Sequence, residues 1–114
     1  KTDSYEKKKF CILKTIFIMT LFNEKELNSF MKDLNGWAYK DGFLEKEIGF
    51  NSYMDSIKFV NLIAKKAEEL NHHPDLHIGY LKVKVFFTSH DYGGVTDSCI
   101  KMARETDSIL SDFF

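Results

Sequence analysis

Hydrophobic residues change their spacing on the two sides of Pro74, the only proline of the chain. Before it, apolar residues recur three or four positions apart, which is typical of a helix that buries one face. After it, apolar and polar residues alternate over residues 81–87, apart from Phe86, which indicates a half-buried strand. Because proline disfavours the helical conformation of the residue before it, the helix must end before His72 and His73. The chain must therefore combine helices with strands.

Short polar motifs predict where the first two helices begin. Asn23, with Glu26 three residues later, is typical of a capping box and predicts a helix over residues 24–34. Ser52 predicts the start of the long helix, which should reach about residue 70. The residues of this helix that we expect to face the core are Tyr53, Ile57, Phe59, Val60, Ile63, Ala64 and Ala67.

A tight turn and a third helix account for most of the remaining chain. Asp41 followed by Gly42 predicts a two-residue turn between strands over residues 37–40 and 43–50. Thr96 can cap a last helix. The positions of that helix expected to face the core are Ile100, Ala103, Leu110 and Phe113.

The resulting order is helix, hairpin, helix, hairpin, helix. It predicts an α+β fold in which three helices pack on one face of a four-stranded antiparallel sheet. A length of 114 residues suits a single domain over residues 1–114. An open sheet leaves unpaired backbone groups at its edges, and Phe86 interrupts the polar face of its strand. We therefore expect a homo-oligomer.

Composition narrows the classes of partner and compartment. Sixteen basic and seventeen acidic residues give a net charge of -1, which argues against direct binding to nucleic acid. The apolar residues 10–22 are too few and too often interrupted to form a membrane anchor, and no cleavage site typical of a leader follows them. We expect residues 1–20 to form an N-terminal extension. Cys11 and Cys99 form no disulfide framework, which favours the cytoplasm, with the nucleus as the alternative.

Three of the four histidines fall at predicted ends of helices or strands. His72 and His73 follow the long helix, and His90 follows the clearest strand. Imidazole can donate or accept a proton near neutral pH, so the three could supply an acid and a base. Histidines that only cap helix carbonyl groups are the alternative. Their spacing is poor for a metal site, and neither cysteine lies near the predicted histidine cluster, which argues against nucleophilic catalysis.

The histidines belong to a longer pattern that resembles a known family. Residues 68–75 read EELNHHPD, Tyr80 follows, and residues 89–91 and 93–96 read SHD and GGVT. This pattern is similar to the signature of the pterin-4a-carbinolamine dehydratase family, and the likeness extends over about residues 21–110. Two positions depart from the family. Ser89 stands where threonine is common, and Cys99 stands where an acidic residue is usual, which should weaken only a helix cap or a subunit contact.

The resemblance implies an enzyme that dehydrates a 4a-hydroxytetrahydropterin to a quinonoid dihydropterin in tetrahydrobiopterin recycling. His72 and His90 take the acid and base roles, and His73 binds and orients the pterin. The dipole of the preceding helix should favour the cationic form of His72, which suits an acid. Glu68, one helical turn earlier, either orients the His72 ring or is a plain surface carboxylate. No metal, flavin or nicotinamide cofactor is needed, and the resemblance implies a dimer or a tetramer, of which we expect a tetramer built from dimers. The residues expected to contact the substrate are His72, His73, His90, Glu68, Pro74, Ser89, Asp91 and Tyr92.

A second function follows from the same resemblance. One animal member of the family doubles as a dimerisation cofactor for a homeodomain transcription factor. The alternative is therefore a protein-interaction module that binds a helical partner protein and acts as a transcriptional coactivator. Retention of all three histidines favours the enzyme.

Overall fold

The computed structural model describes residues 21–114, so the extension predicted for residues 1–20 lies outside the described residues. A single-turn 3-10 helix (His90–Tyr92) lies between the last strand and the last helix. The other elements are α1 (Glu24–Met31), β1 (Ala38–Lys40), β2 (Phe43–Gly49), α2 (Tyr53–Leu70), β3 (Asp75–Ile78), β4 (Lys82–Phe87) and α3 (Asp97–Leu110). The predicted α+β fold, with three helices and a four-stranded antiparallel sheet, is confirmed.

The sheet consists of two hairpins placed side by side in the order β1-β2-β4-β3. The second strands of the two hairpins pair at its centre, where Leu44 lies opposite Phe87 and Ile48 opposite Val83. These four side chains point to the same face and are at most 5% exposed. Alternation in β4 therefore buries one face, as its sequence predicted.

The helices cover this apolar face of the sheet. α2 and α3 contact β4 and each other. Leu27 of α1 joins the same core at 2% exposure. On α3, Ile100, Ala103 and Leu110 are buried, as predicted. Phe113 packs against the core as well, but from beyond the end of the helix at Leu110.

Three of the motifs that marked element boundaries act as expected. Asn23 and Glu26 form the reciprocal capping box of α1, with bonds of 2.8 and 3.0 Å. The Ser52 hydroxyl accepts a bond from the first turn of α2 at 3.1 Å. Asp41 and Gly42 both have positive φ, of 52° and 84°. Two residues with positive φ form the kind of two-residue turn that matches the twist of the strands in a hairpin.

Two predictions about the helices need correction, one about where a helix ends and one about which of its residues are buried. α1 ends at Met31, three residues earlier than predicted, because the following backbone bonds span three residues, as in Leu34 N–H to Met31 carbonyl. The buried stripe of α2 is centred on Phe59 and Ile63, so Tyr53 and Ala64 are exposed instead of buried. Tyr53 is exposed because it lies in the first turn of the helix, where its ring stacks on the exposed ring of Tyr80.

The opposite face of the sheet is more polar and carries Phe86. Its ring is half-buried between Phe43 and His77, with ring centres 6.3 and 4.8 Å away. Contact of Phe86 with another surface stays a prediction. Within residues 21–114, none of the helices combines the length and the apolar character that a membrane span requires.

Candidate active site

The chain turns sharply where α2 ends. Asn71 adopts a left-handed backbone conformation (φ 51°), which terminates the helix. The backbone N–H of His72 donates to the Ala67 carbonyl at 3.0 Å, so the turn is tied to the last turn of α2. Pro74, which cannot continue a helix, lies half-buried just before β3. His72 and His73 are therefore held in a short, fixed connection.

Antiparallel pairing brings the two histidine segments to the same end of the sheet. Asp75 at the start of β3 pairs with Phe86 near the end of β4. The residues that precede β3 and those that follow β4 must then lie close together. The structure thus brings His72 and His73 near His90, as the resemblance implied.

His72 has the most enclosed position of the three histidines. Its ring is half-buried and stacks on Phe87, with ring centres 6.0 Å apart and planes 16° from parallel. Burial lowers the pKa of the His72 imidazole below its usual range, and positive charges on His73 and His90 lower it further. The expectation that the helix dipole would favour a cationic His72 is therefore wrong. A neutral His72 is suited to accept a proton.

His73 lies on the solvent side of the same turn. Its Nε2 contacts the Glu68 carboxylate, and the two side chains are 52% and 78% exposed. Glu68 was expected to orient His72 from one helical turn earlier. The left-handed conformation of Asn71 breaks the helical spacing there, so the carboxylate reaches His73 instead. Glu68 can therefore orient His73.

His90 lies in a compact turn that follows β4. The Ser89 carbonyl accepts bonds from the backbone N–H groups of Tyr92 and Gly93, both at 2.9 Å. Gly93 closes the turn with a positive φ of 75°. The His90 ring is exposed and meets the edge of Phe43, with ring centres 6.4 Å apart. His90 is thus accessible to a ligand and to water.

A buried cysteine contacts the site, which was not predicted from the sequence. Sγ of Cys99 lies 3.4 Å from Nε2 of His72, although 27 residues separate them in the chain. The expectation that Cys99 lies away from the histidines is therefore wrong. The expectation that its departure from the family affects only a helix cap or a subunit contact stays a prediction. The signal available in the sequence was its departure from the family pattern. Phe87, beneath His72, could be predicted as buried but not as part of the site.

The Thr96 and Ser89 hydroxyls point away from the open site. Thr96 precedes α3 but makes no capping bond with its side chain, because its hydroxyl meets the Ser89 hydroxyl at 2.7 Å. Ser89 is 7% exposed. Asp91 and Tyr92, by contrast, are exposed beside His90.

Among residues 21–114, no three His, Cys, Asp or Glu side chains are arranged to hold a metal ion. The arrangement therefore supplies imidazoles that differ in burial, which suits proton transfer.

Comparisons with known proteins point to a single family. The family model described as pterin 4 alpha carbinolamine dehydratase matches residues 20–109. A protein of Mycolicibacterium vanbaalenii, provisionally named pterin-4-alpha-carbinolamine dehydratase, is 36% identical over 81% of this chain and 99% of its own. A protein of Metallosphaera sedula with the same provisional name is 38% identical, and the match covers 80% of this chain and 95% of that protein. The crystal structure of a transcriptional coactivator/pterin dehydratase from Brucella melitensis is 32% identical in sequence, with a TM-score of 0.76. The match covers 79% of this chain and 98% of that protein's chain.

Proposed function

Because the chain belongs to the pterin-4a-carbinolamine dehydratase family, we propose that it catalyses the dehydration of a 4a-hydroxytetrahydropterin. The products are a quinonoid dihydropterin and water, and the pathway is tetrahydrobiopterin recycling. The observation that carries the proposal is the grouping of a half-buried His72 with an exposed His90. Such a pair can hold one imidazole neutral while the other exchanges protons with solvent.

The reaction needs two proton transfers on the same bicyclic ring. His72, kept neutral by burial, takes the proton from N5 of the pterin. The electron pair of that N–H bond forms the N5–C4a double bond as the C4a–O bond breaks. His90 delivers a proton to the departing hydroxyl, which leaves as water. Solvent then returns the two imidazoles to their starting forms, so no electron acceptor, metal or organic cofactor is required.

Binding of the pterin is assigned to the residues around this pair. His73, oriented by Glu68, binds the ring in its ground state and transition state alike. Pro74, Asp91 and Tyr92 complete the proposed contact surface. Ser89 contributes through its backbone and through the buried hydroxyl contacts described above, because its side chain points inward.

The proposed assembly is a dimer or a tetramer of this chain. Within residues 21–114, β1 and β3 each pair with one strand only, which leaves two sheet edges open. Ile78 on the β3 edge is 48% exposed. Sedimentation equilibrium at micromolar concentration should give a multiple of the 13.3 kDa chain mass. A single species at the monomer mass would contradict the edge argument.

We propose that residues 1–114 form one domain, with residues 1–20 as its extension, and that the protein acts in the cytoplasm. A second candidate function is favoured by the Brucella melitensis relative, whose description includes transcriptional coactivator. In that case a helical partner protein would bind the chain, in the cytoplasm or the nucleus. Capture of a helical dimerisation peptide by a protein without pterin turnover would favour this alternative.

The proposed activity is tested by generating the 4a-hydroxytetrahydropterin in situ and following its dehydration by ultraviolet absorbance. The full chain should accelerate the reaction above the uncatalysed rate, in the presence of a metal chelator as well as in its absence. A rate equal to that of the protein-free solution would overturn the proposal.

A further inference from the structure

Four polar side chains form a continuous row that begins inside the protein and ends at His72. The Thr96 and Ser89 hydroxyl oxygens are 2.7 Å apart, and Ser89 Oγ lies 3.6 Å from Cys99 Sγ. Cys99 Sγ lies 3.4 Å from His72 Nε2 and 4.0 Å from the Thr96 hydroxyl. Thr96 and Cys99 are 0% exposed. The proposed reaction uses His72 but has so far assigned nothing to the residues behind it.

The row can run in either direction, so the acceptors available to the two ring nitrogens decide which of them carries the proton of a neutral His72. If Nε2 carries it, the ring N–H donates to Cys99 Sγ, the thiol donates to Ser89 Oγ, and Ser89 donates to Thr96. If Nδ1 carries it instead, the thiol donates to Nε2 and the row reverses, but the Nδ1 N–H meets no protein acceptor among residues 21–114. A ring N–H is a stronger donor than a thiol, and leaving it without an acceptor is the costlier choice. The Nε2-protonated form is therefore favoured.

We propose that Cys99 is a positioning residue for His72, which holds the ring by accepting its Nε2–H and so leaves Nδ1 free to take the substrate proton. The inference rests on the proposed function, because it assigns the accepting nitrogen of the proposed base. It also explains why a buried thiol lies against the half-buried ring. A carboxylate there would attract a proton to the ring, whereas a neutral thiol orients the ring without adding a charge.

The charged surroundings of His72 agree with this role for the thiol. The titratable groups that face its ring are His73 from the same turn, His90 from the turn after β4 and Cys99 from α3. Glu68 makes its contact with His73 on the solvent side. No carboxylate contacts the His72 ring within residues 21–114, so its neutral form is not opposed by a local negative charge.

The tautomer can be measured in the substrate-free protein by nitrogen-15 NMR of the imidazole rings. We expect wild-type His72 to show a protonated Nε2 and an unprotonated Nδ1. Cys99→Ala should shift both signals toward the average of the two tautomers, and Cys99→Ser should keep the wild-type pattern. Cys99→Val, which fills the space of the thiol but cannot accept a bond, replaces Cys99→Ala if the cavity unfolds the protein. Thr106→Val is the matched control, because Thr106 is a buried α3 residue whose hydroxyl bonds to the Met102 carbonyl.

Kinetics supply a second readout of the same role. Loss of one neutral hydrogen bond to the base should lower kcat about five- to tenfold in Cys99→Ala, with KM changed less than about twofold. Cys99→Ser should retain kcat within about threefold of wild type. A wild-type His72 protonated on Nδ1, or Ala and Val variants identical to wild type in tautomer and kcat, would overturn the inference. Absence of turnover in the wild type would refute the proposed function, whereas the tautomer is judged separately without substrate.

Discussion

Replacement of Asp107 tests how much a hydrogen-bond network next to the candidate active site contributes to the stability of the fold. The Trp37 indole N–H donates to both Asp107 carboxylate oxygens at 3.1 Å, and Lys46 Nζ lies 2.8 Å from one of them. Trp37 is 6% exposed and packs against Phe87, with ring centres 5.9 Å apart. Phe87 in turn stacks on His72. Asp107→Ala therefore removes the acceptor of a buried donor that belongs to the packing beneath His72.

The magnitude follows from the burial of the partners. A hydrogen bond to a charged group contributes about 1.5–3 kcal/mol, and a buried donor left without an acceptor costs a similar amount. The Asp107 side chain is 33% exposed and Lys46 is 18% exposed, so water offsets part of the charge interaction. We expect Asp107→Ala to lower the free energy of unfolding by about 2 kcal/mol. Asp107→Asn keeps an acceptor oxygen and should cost about 1 kcal/mol.

Equilibrium denaturation followed by fluorescence measures this loss directly, because Trp37 is the only tryptophan of the chain. The Ala variant should unfold at a lower denaturant concentration with the same slope. Its melting temperature should fall by about 8 °C. Asp112→Ala is a control, since Asp112 is an exposed carboxylate beyond α3, and its effect should stay within about 0.5 kcal/mol. A loss below about 0.5 kcal/mol in Asp107→Ala would show that the network does not stabilise the fold.

The remaining predictions concern pH and the exposed side of the site. The pKa of folded His72 lies below its usual value of 6.5. The stability that depends on its neutral form is therefore fully present above pH 6.5 and is lost as pH falls through the folded pKa. The acid limb of kcat/KM should likewise lie below pH 6.5, and a limb above it would contradict the role of His72 as base. His73→Ala should raise KM more than it lowers kcat. Glu68→Gln should raise KM less than about fivefold, since the exposed pair contributes at most about 1 kcal/mol, and a large loss of kcat would refute the orienting role.

The elements that the sequence predicted correctly are those set by neighbouring residues. Asn23 and Glu26 form their capping box, and Asp41 and Gly42 form their turn, because each motif needs only three or four residues of chain. Alternation in β4 was enough to predict which of its side chains are buried, since a strand with one covered face has a period of two.

The parts of the site that could not be predicted depend on contacts between distant segments. The proximity of Cys99 to His72 arises from the packing of α3 against the end of α2, and no local pattern encodes it. The partner of Glu68 changed because the single left-handed residue Asn71 altered the spacing after the helix. The direction of the pKa shift of His72 required its burial against Phe87, whereas the sequence offered only the helix dipole.

In the proposed reaction, His72 removes a proton from the pterin and His90 supplies one. The most direct measurement is the dehydration rate of in situ 4a-hydroxytetrahydropterin with the His72→Ala and His90→Ala variants, each corrected for the uncatalysed reaction. Each variant should lose about 10²-fold in kcat while its circular dichroism spectrum stays that of the wild type. Wild-type turnover in both folded variants would contradict the account and would favour the coactivator alternative.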